Sequence, residues 1–196
     1  MPTARQSPGV LSLQSALVVA GGATSSYCDL VEFFKSDTSQ WYRTDPLPRA
    51  GQHKFLVAIG NTCYSLGGWN GSYLNQALYA SVDDLLGNAV PANQTTHNGQ
   101  SAWKILPNTS TYQPAAAVLA GNLLAIGGNE TSELEGTAKK EVYMYSPSTN
   151  SWIYVSDLPA PRSNTAAAVL SSTEVLVIGG WDDGRVNTVY KGTLTL

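Results

Sequence analysis

The sequence predicts an all-β fold of four consecutive four-stranded antiparallel meanders, and three observations carry that prediction. First, a double glycine recurs four times, at Gly21 and Gly22, Gly67 and Gly68, Gly127 and Gly128, and Gly179 and Gly180. Second, each pair ends a short apolar, partly β-branched run, most cleanly residues 174–178. Runs of this length that stop at turn chemistry read as strands. Third, a tryptophan closes three of the four units, at Trp41, Trp103 and Trp152. Self-similarity on a period of about 50 residues is the mark of a repeat architecture.

Taken in order, the units are residues 1–46, 47–105, 106–157 and 158–196. Each opens on a proline turn, which carries Arg5, Arg49 and Arg162 in the first, second and fourth units. In the third, Ser110 or Thr111 stands in that place. A run of small apolar residues follows, clearest at 115–119 and 166–170. The second run leads into the glycine pair. Between these two runs, Gly60 with Asn61 and Gly121 with Asn122 read as tight hairpin turns, because glycine and asparagine tolerate positive φ. A polar loop leads to a run bearing Tyr or Phe (30–34, 77–79, 141–145, 188–190), and then to the tryptophan strand. Residues 82–86 are long enough for one turn of helix, and no stretch has a sustained helical period.

This order of proline and arginine turn, apolar strand, glycine pair, tyrosine strand and tryptophan resembles the kelch repeat over essentially the whole chain. The resemblance implies a β-propeller with each unit a blade. A lone meander cannot bury both faces, so neighbouring blades cover one another. The small residues suit an inner strand, the glycine pair permits close backbone approach, and the tryptophan fills the space between blades at larger radius. The fourth unit has no tryptophan strand before residue 196. The expectation is an open arc of four blades, the last incomplete, as in a partial propeller from a longer protein. Self-association through the open edge is the second expectation, since an uncovered strand edge and apolar face invite pairing.

Composition narrows the function. The 196 residues are 43% hydrophobic and only 13% charged, with a net charge of -3. Globular chains average about 25% charged, so this surface relies on Ser, Thr, Asn and Gln. There is no basic patch for nucleic acid, no apolar run of membrane-spanning length, and no apolar stretch of signal-peptide type behind Arg5. Cys28 and Cys63 lack a framework spacing and read as buried thiols. These features lead to a cytoplasmic expectation. Against it stand four glycosylation-type sequons, at Asn70, Asn93, Asn108 and Asn129, which leave an extracellular alternative.

The meander places the loops between strands two and three on the same side as the loops between blades. Partner-binding candidates on that side are Trp69, Asn70 and Tyr73, Glu130 and Glu133, and Trp181, Asp182, Asp183 and Arg185. Aromatic residues and arginine dominate binding hot spots. The acidic residues, Glu135 among them, suit a basic partner segment. The turn arginines recur in register and are expected to brace blade ends. The long insertion, residues 81–101, falls on the other side.

No catalytic set is legible. His53 and His97 lie on opposite sides and do not make a metal site. The copper-radical oxidases that resemble kelch propellers need two histidines, two tyrosines and a cross-linked cysteine on one face, which this chain does not supply. Neither a nucleophile elbow nor a phosphate-binding loop occurs. The expected function is therefore a non-catalytic protein or peptide binding module without cofactor or metal, such as the substrate-reading part of a multidomain adaptor. The alternative is a fragment of a propeller enzyme of sugar epimerase or oxidase type.

Overall fold

The computed structural model of the chain describes residues 1–13, 15–94, 101–133 and 136–195. His97 and Glu135 lie outside the described residues. In chain order the elements are β1 (Gly9–Ser12), β2 (Ala16–Ala20), β3 (Val31–Lys35), β4 (Gln40–Thr44), β5 (Phe55–Ile59), β6 (Thr62–Leu66), β7 (Ala77–Ser81), α1 (Val82–Gly87), β8 (Val90–Pro91), β9 (Lys104–Ile105), β10 (Ala115–Leu119), β11 (Asn122–Ile126), β12 (Glu141–Ser146), β13 (Ser151–Asp157), β14 (Ala166–Val169), β15 (Glu174–Ile178) and β16 (Val189–Thr193). They fall into two compact units, the first Met1–Asn70 with Leu78–Ile105, the second Gly71–Ala77 with Leu106–Leu196.

Unit one holds two antiparallel sheets, ordered β1-β2-β3-β4-β8 and β5-β6-β7-β9. The 81–101 insertion contributes to both its helix and its sheet edge. Ser81 caps α1 by accepting from the Asp84 amide at 3.5 Å, the expected role for serine at that position. β8 then pairs with β4, Tyr42 opposite Pro91. The two sheets meet on a core that includes Val18, Phe33 and Leu47 from one side and Cys63, Leu78 and Trp103 from the other. Phe33 is fully buried and stacks on Tyr42 with ring centroids 5.4 Å apart. Burying a ring of that size contributes about 2–3 kcal/mol.

Unit two holds the sheets β10-β11-β12-β13 and β14-β15-β16. Ala115, Ala116 and Ala117 are buried along β10, as small inner-strand residues should be, whereas Ala166 and Ala168 of β14 are exposed. The last sheet has three strands among the described residues. It shows Val169, Ile178 and Val189 to solvent at 44%, 40% and 52% exposure.

The glycine pairs are backbone punctuation in all four sheets. The first glycine of each pair has φ between 59° and 66° and the second between 102° and 112°. At Gly127 both causes act together: φ is +59° and an added Cβ would collide with the Arg162 carbonyl. One hairpin differs from expectation. Leu119 pairs with Asn122, so the turn is Ala120 and Gly121, both at positive φ. Asn122 begins β11 and steadies the turn by donating from Nδ2 to the Ala120 carbonyl at 3.0 Å.

Candidate functional site

Each sheet begins in the same way. A backbone bridge joins the residue before the first strand to the residue after the glycine pair: Gln6 with Ala23, Gln52 with Trp69, Tyr112 with Asn129, Ser163 with Trp181. The next residue, Ser7, His53, Gln113 or Asn164, has φ between 48° and 54°. A non-glycine residue held in the left-handed region is uncommon. Here it turns the chain from the bridge into the strand. The register also corrects the arginine series. The residues before the bridges are Arg5, Gly51, Thr111 and Arg162, so Arg49 is out of register, and it is exposed.

Arg5 and Arg162 brace blade ends. Arg5 donates to Glu32 Oε2 at 2.9 Å and to the Val19 carbonyl at 3.1 Å. Arg43 reaches the other oxygen of Glu32 at 3.2 Å, and Thr3 donates to it at 2.8 Å. Arg162, 3% exposed, donates to Asp182 at 3.2 Å, to Thr188 at 2.8 Å and to the Tyr190 hydroxyl at 2.7 Å, with its guanidinium 4.9 Å from the Tyr190 ring centroid. In the second sheet Lys54 supplies the cation from a different place. Its Nζ donates to the Gly67 carbonyl at 2.9 Å. Burial, with the Arg49 charge adding to it, lowers its pKa to about 8.

Unit two forms a polar cleft of about 530 Å³, lined by Tyr73, Asn129, Gly136, Thr137, Ser163, Asn164, Trp181 and Asp183. Trp181 is 47% exposed, an indole face open to a ligand. Asn164 donates to the Tyr73 hydroxyl at 3.5 Å and accepts from Gln113 at 3.5 Å. Ser132 holds the Tyr73 amide at 2.8 Å. Asp182 is turned away into its ion pair with Arg162. Arg185 is exposed and closes the loop as the bridge partner of Trp181. Glu130 and Glu133 are exposed, each in a loop fixed by backbone contacts at Thr137 and Gly136.

Three of the sequence candidates, Tyr73, Trp181 and Asp183, therefore share one cleft. Trp69 and Asn70 belong to unit one, where Trp69 donates from its indole to the Tyr27 hydroxyl at 3.0 Å. Ser163 and Asn164, which also line the cleft, are not legible as lining residues in the sequence. Asn129 is readable as a sequon and as the first residue of a loop on the inter-blade side, and at 2% exposure it is no acceptor for a glycan in the folded chain. The signal that finds Asn164 is its position one residue after Ser163, in register with Ser7, His53 and Gln113. No group of three or more metal-ligating side chains occurs among the described residues, and no helix among them is long and apolar enough to cross a membrane.

The Kelch motif family model matches residues 110–159, the stretch that holds β10 to β13. These residues carry a kelch motif. Relatives agree over longer spans. The chain is 25% identical over 178 residues to a Kelch-like protein, terF, of Aspergillus terreus, covering 85% of this chain and 36% of the relative. It is 26% identical over 185 residues to Kelch-like protein 36 of Bos taurus, covering 92% of this chain and 28% of the relative. A shorter match, 33% over 93 residues, is to the N-acetylneuraminate epimerase of Yersinia enterocolitica, covering 43% of this chain and 24% of that enzyme. The kelch chain thus spans about a third or less of the length of these curated relatives.

Proposed function

We propose that this kelch chain is a non-catalytic module that binds an extended, basic peptide segment of a partner protein through the unit-two cleft, as the recognition part of a larger adaptor. The half-exposed indole of Trp181 in a cleft with Tyr73, Asn164 and Asp183 carries this reading. An aromatic face beside amide and hydroxyl groups suits a peptide, whose backbone both donates and accepts. The exposed carboxylates of Asp183, Glu130 and Glu133 favour lysine or arginine on it. Trp181→Ala should weaken capture of the partner by at least about 30-fold, as for a hot-spot residue, while leaving the thermal midpoint within about 2 °C. Undiminished capture by a folded Trp181→Ala chain would remove the cleft from the reading. The match to an epimerase favours a second reading, a sugar-processing protein. Turnover of N-acetylneuraminate or a related amino sugar by the purified chain would put that reading first.

A further inference from the structure

The polar cleft of unit two sets an unpaired carboxylate beside an open ring. The loop after the last glycine pair carries two aspartates in succession. Asp182 is engaged by Arg162 at 3.2 Å. Asp183 has φ 50° and lines the cleft together with Trp181. Among the described residues no cation pairs with Asp183. Arg185, two residues further on, joins Trp181 through its backbone and makes no ion pair with Asp183. Ser163 and Thr137 bring hydroxyls to the same cleft, and neither is hydrogen-bonded among the described residues. Elsewhere in unit two the same set of groups is filled. Arg162 donates to the Asp182 carboxylate at 3.2 Å and to the Thr188 hydroxyl at 2.8 Å, and its guanidinium lies 4.9 Å from the Tyr190 ring centroid. Ring, carboxylate and hydroxyl meet there on one planar cation. The lysines of the chain do with less. Lys35 lies over the Tyr42 ring at 5.1 Å, and Lys191 pairs with the Glu174 carboxylate at 2.8 Å; neither combines ring with carboxylate among the described residues.

We infer that the basic residue read by this cleft is arginine, not lysine: its guanidinium lies on the Trp181 indole and forks onto the Asp183 carboxylate, with its remaining N–H groups turned to Ser163 and Thr137. The inference rests on the peptide-binding reading of the cleft and names the anchor of that peptide. The physical reason is donor geometry. A guanidinium is planar and weakly hydrated, and it stacks on an aromatic face. Its five N–H donors stand in a fixed fork that matches both oxygens of a carboxylate. It therefore uses ring, carboxylate and hydroxyls at once, as Arg162 does. An ammonium is a compact, strongly hydrated point charge, and it takes either the ring or the carboxylate. The half-exposed position of Trp181 makes the difference count. An ion pair in contact with water contributes little by itself, whereas stacking and a bidentate bond add to it. A neutral urea of the same shape keeps the stack and loses the ion pair.

The test probes the seat with single capped amino acids. The indole N–H signal of Trp181 in the 196-residue chain, assigned by its loss in Trp181→Phe, is followed by heteronuclear NMR at constant ionic strength. The titrants are N-acetyl-arginine methylamide and its lysine and citrulline counterparts. The arginine compound is expected to shift the signal with a half-saturating concentration at least about 5-fold below that of the lysine compound. The citrulline compound should leave the signal in place over the same range. Asp183→Asn, which suits a left-handed backbone, should raise the half-saturating concentration of the arginine compound at least about 10-fold. Should that variant fail to fold, the comparison of the three compounds on the unaltered chain still decides. An equal or tighter response to the lysine compound overturns the choice of arginine and leaves the basic-peptide reading standing. A citrulline response equal to that of arginine, or an Asp183→Asn chain that responds like the parent, overturns the carboxylate fork. No response to either cation overturns both the inference and the reading it rests on.

Discussion

Replacing Lys54 with methionine should make the chain more stable near neutral pH and remove a rise in stability on the alkaline side. Lys54 is 5% exposed, and its Nζ donates to a neutral acceptor, the Gly67 carbonyl. Its pKa of about 8, against 10.5 for an unburied lysine, reflects burial first and the Arg49 charge second. Between those two values the unfolded chain holds a proton that the folded chain has released. Stability therefore rises with pH across this window and levels off above it. The whole gap corresponds to about 3 kcal/mol, and about 2 kcal/mol of it falls between pH 7 and pH 9.5. Lys54→Met removes the buried charge but leaves the Gly67 carbonyl without its donor, a loss of about 1 kcal/mol. The net gain at pH 7 is then about 2 kcal/mol. Urea unfolding of both chains at pH 7 and pH 9.5 measures all of this, and the difference between them cancels the titration of tyrosines. A Lys54→Met chain with the same pH slope as the parent would refute the reasoning, as would a destabilised variant at pH 7.

Other perturbations test other parts of the fold. Glu32→Gln leaves the buried Arg5 and the part-buried Arg43 without a countercharge, and should cost about 3–5 kcal/mol in denaturant unfolding. Gly127→Ala drives a Cβ into the Arg162 carbonyl at positive φ; a loss of more than about 2 kcal/mol is expected in thermal melts, whereas Gly60→Ala, with nothing within 4 Å, should cost only about 1 kcal/mol of conformational strain. Burial pushes the Cys63 thiol up to about 11, so it should react with a thiol reagent at pH 8 only on unfolding, and rapid labelling of the native chain at Cys63 would contradict its burial.

The glycine pairs, the tryptophans and the hairpins made the strand order legible, because each is a backbone requirement that few residues meet. The short turn of helix after β7 was equally visible. Side-chain partnerships across blades were not. Nothing local marks Glu32 as the anion between Arg5 and Arg43, since the three come together only when β3, β4 and the chain's first turn are in place. Lys54 reads as an ordinary polar residue at a strand start. The arginine series misled at Arg49 because a proline neighbour is a weaker register mark than the bridge that follows it. In the candidate site, Trp181 was visible from its place after a glycine pair, while Asn164 was hidden in a run of small polar residues. Its left-handed backbone, not its identity, sets it at the cleft.

The bonds from Trp103 to Asp45 and from Trp152 to Pro107 have a consequence for the order of assembly during synthesis. In each case the last strand of a blade fastens to the segment through which that blade was entered. Neither bond can close until the final strand of its own blade has emerged.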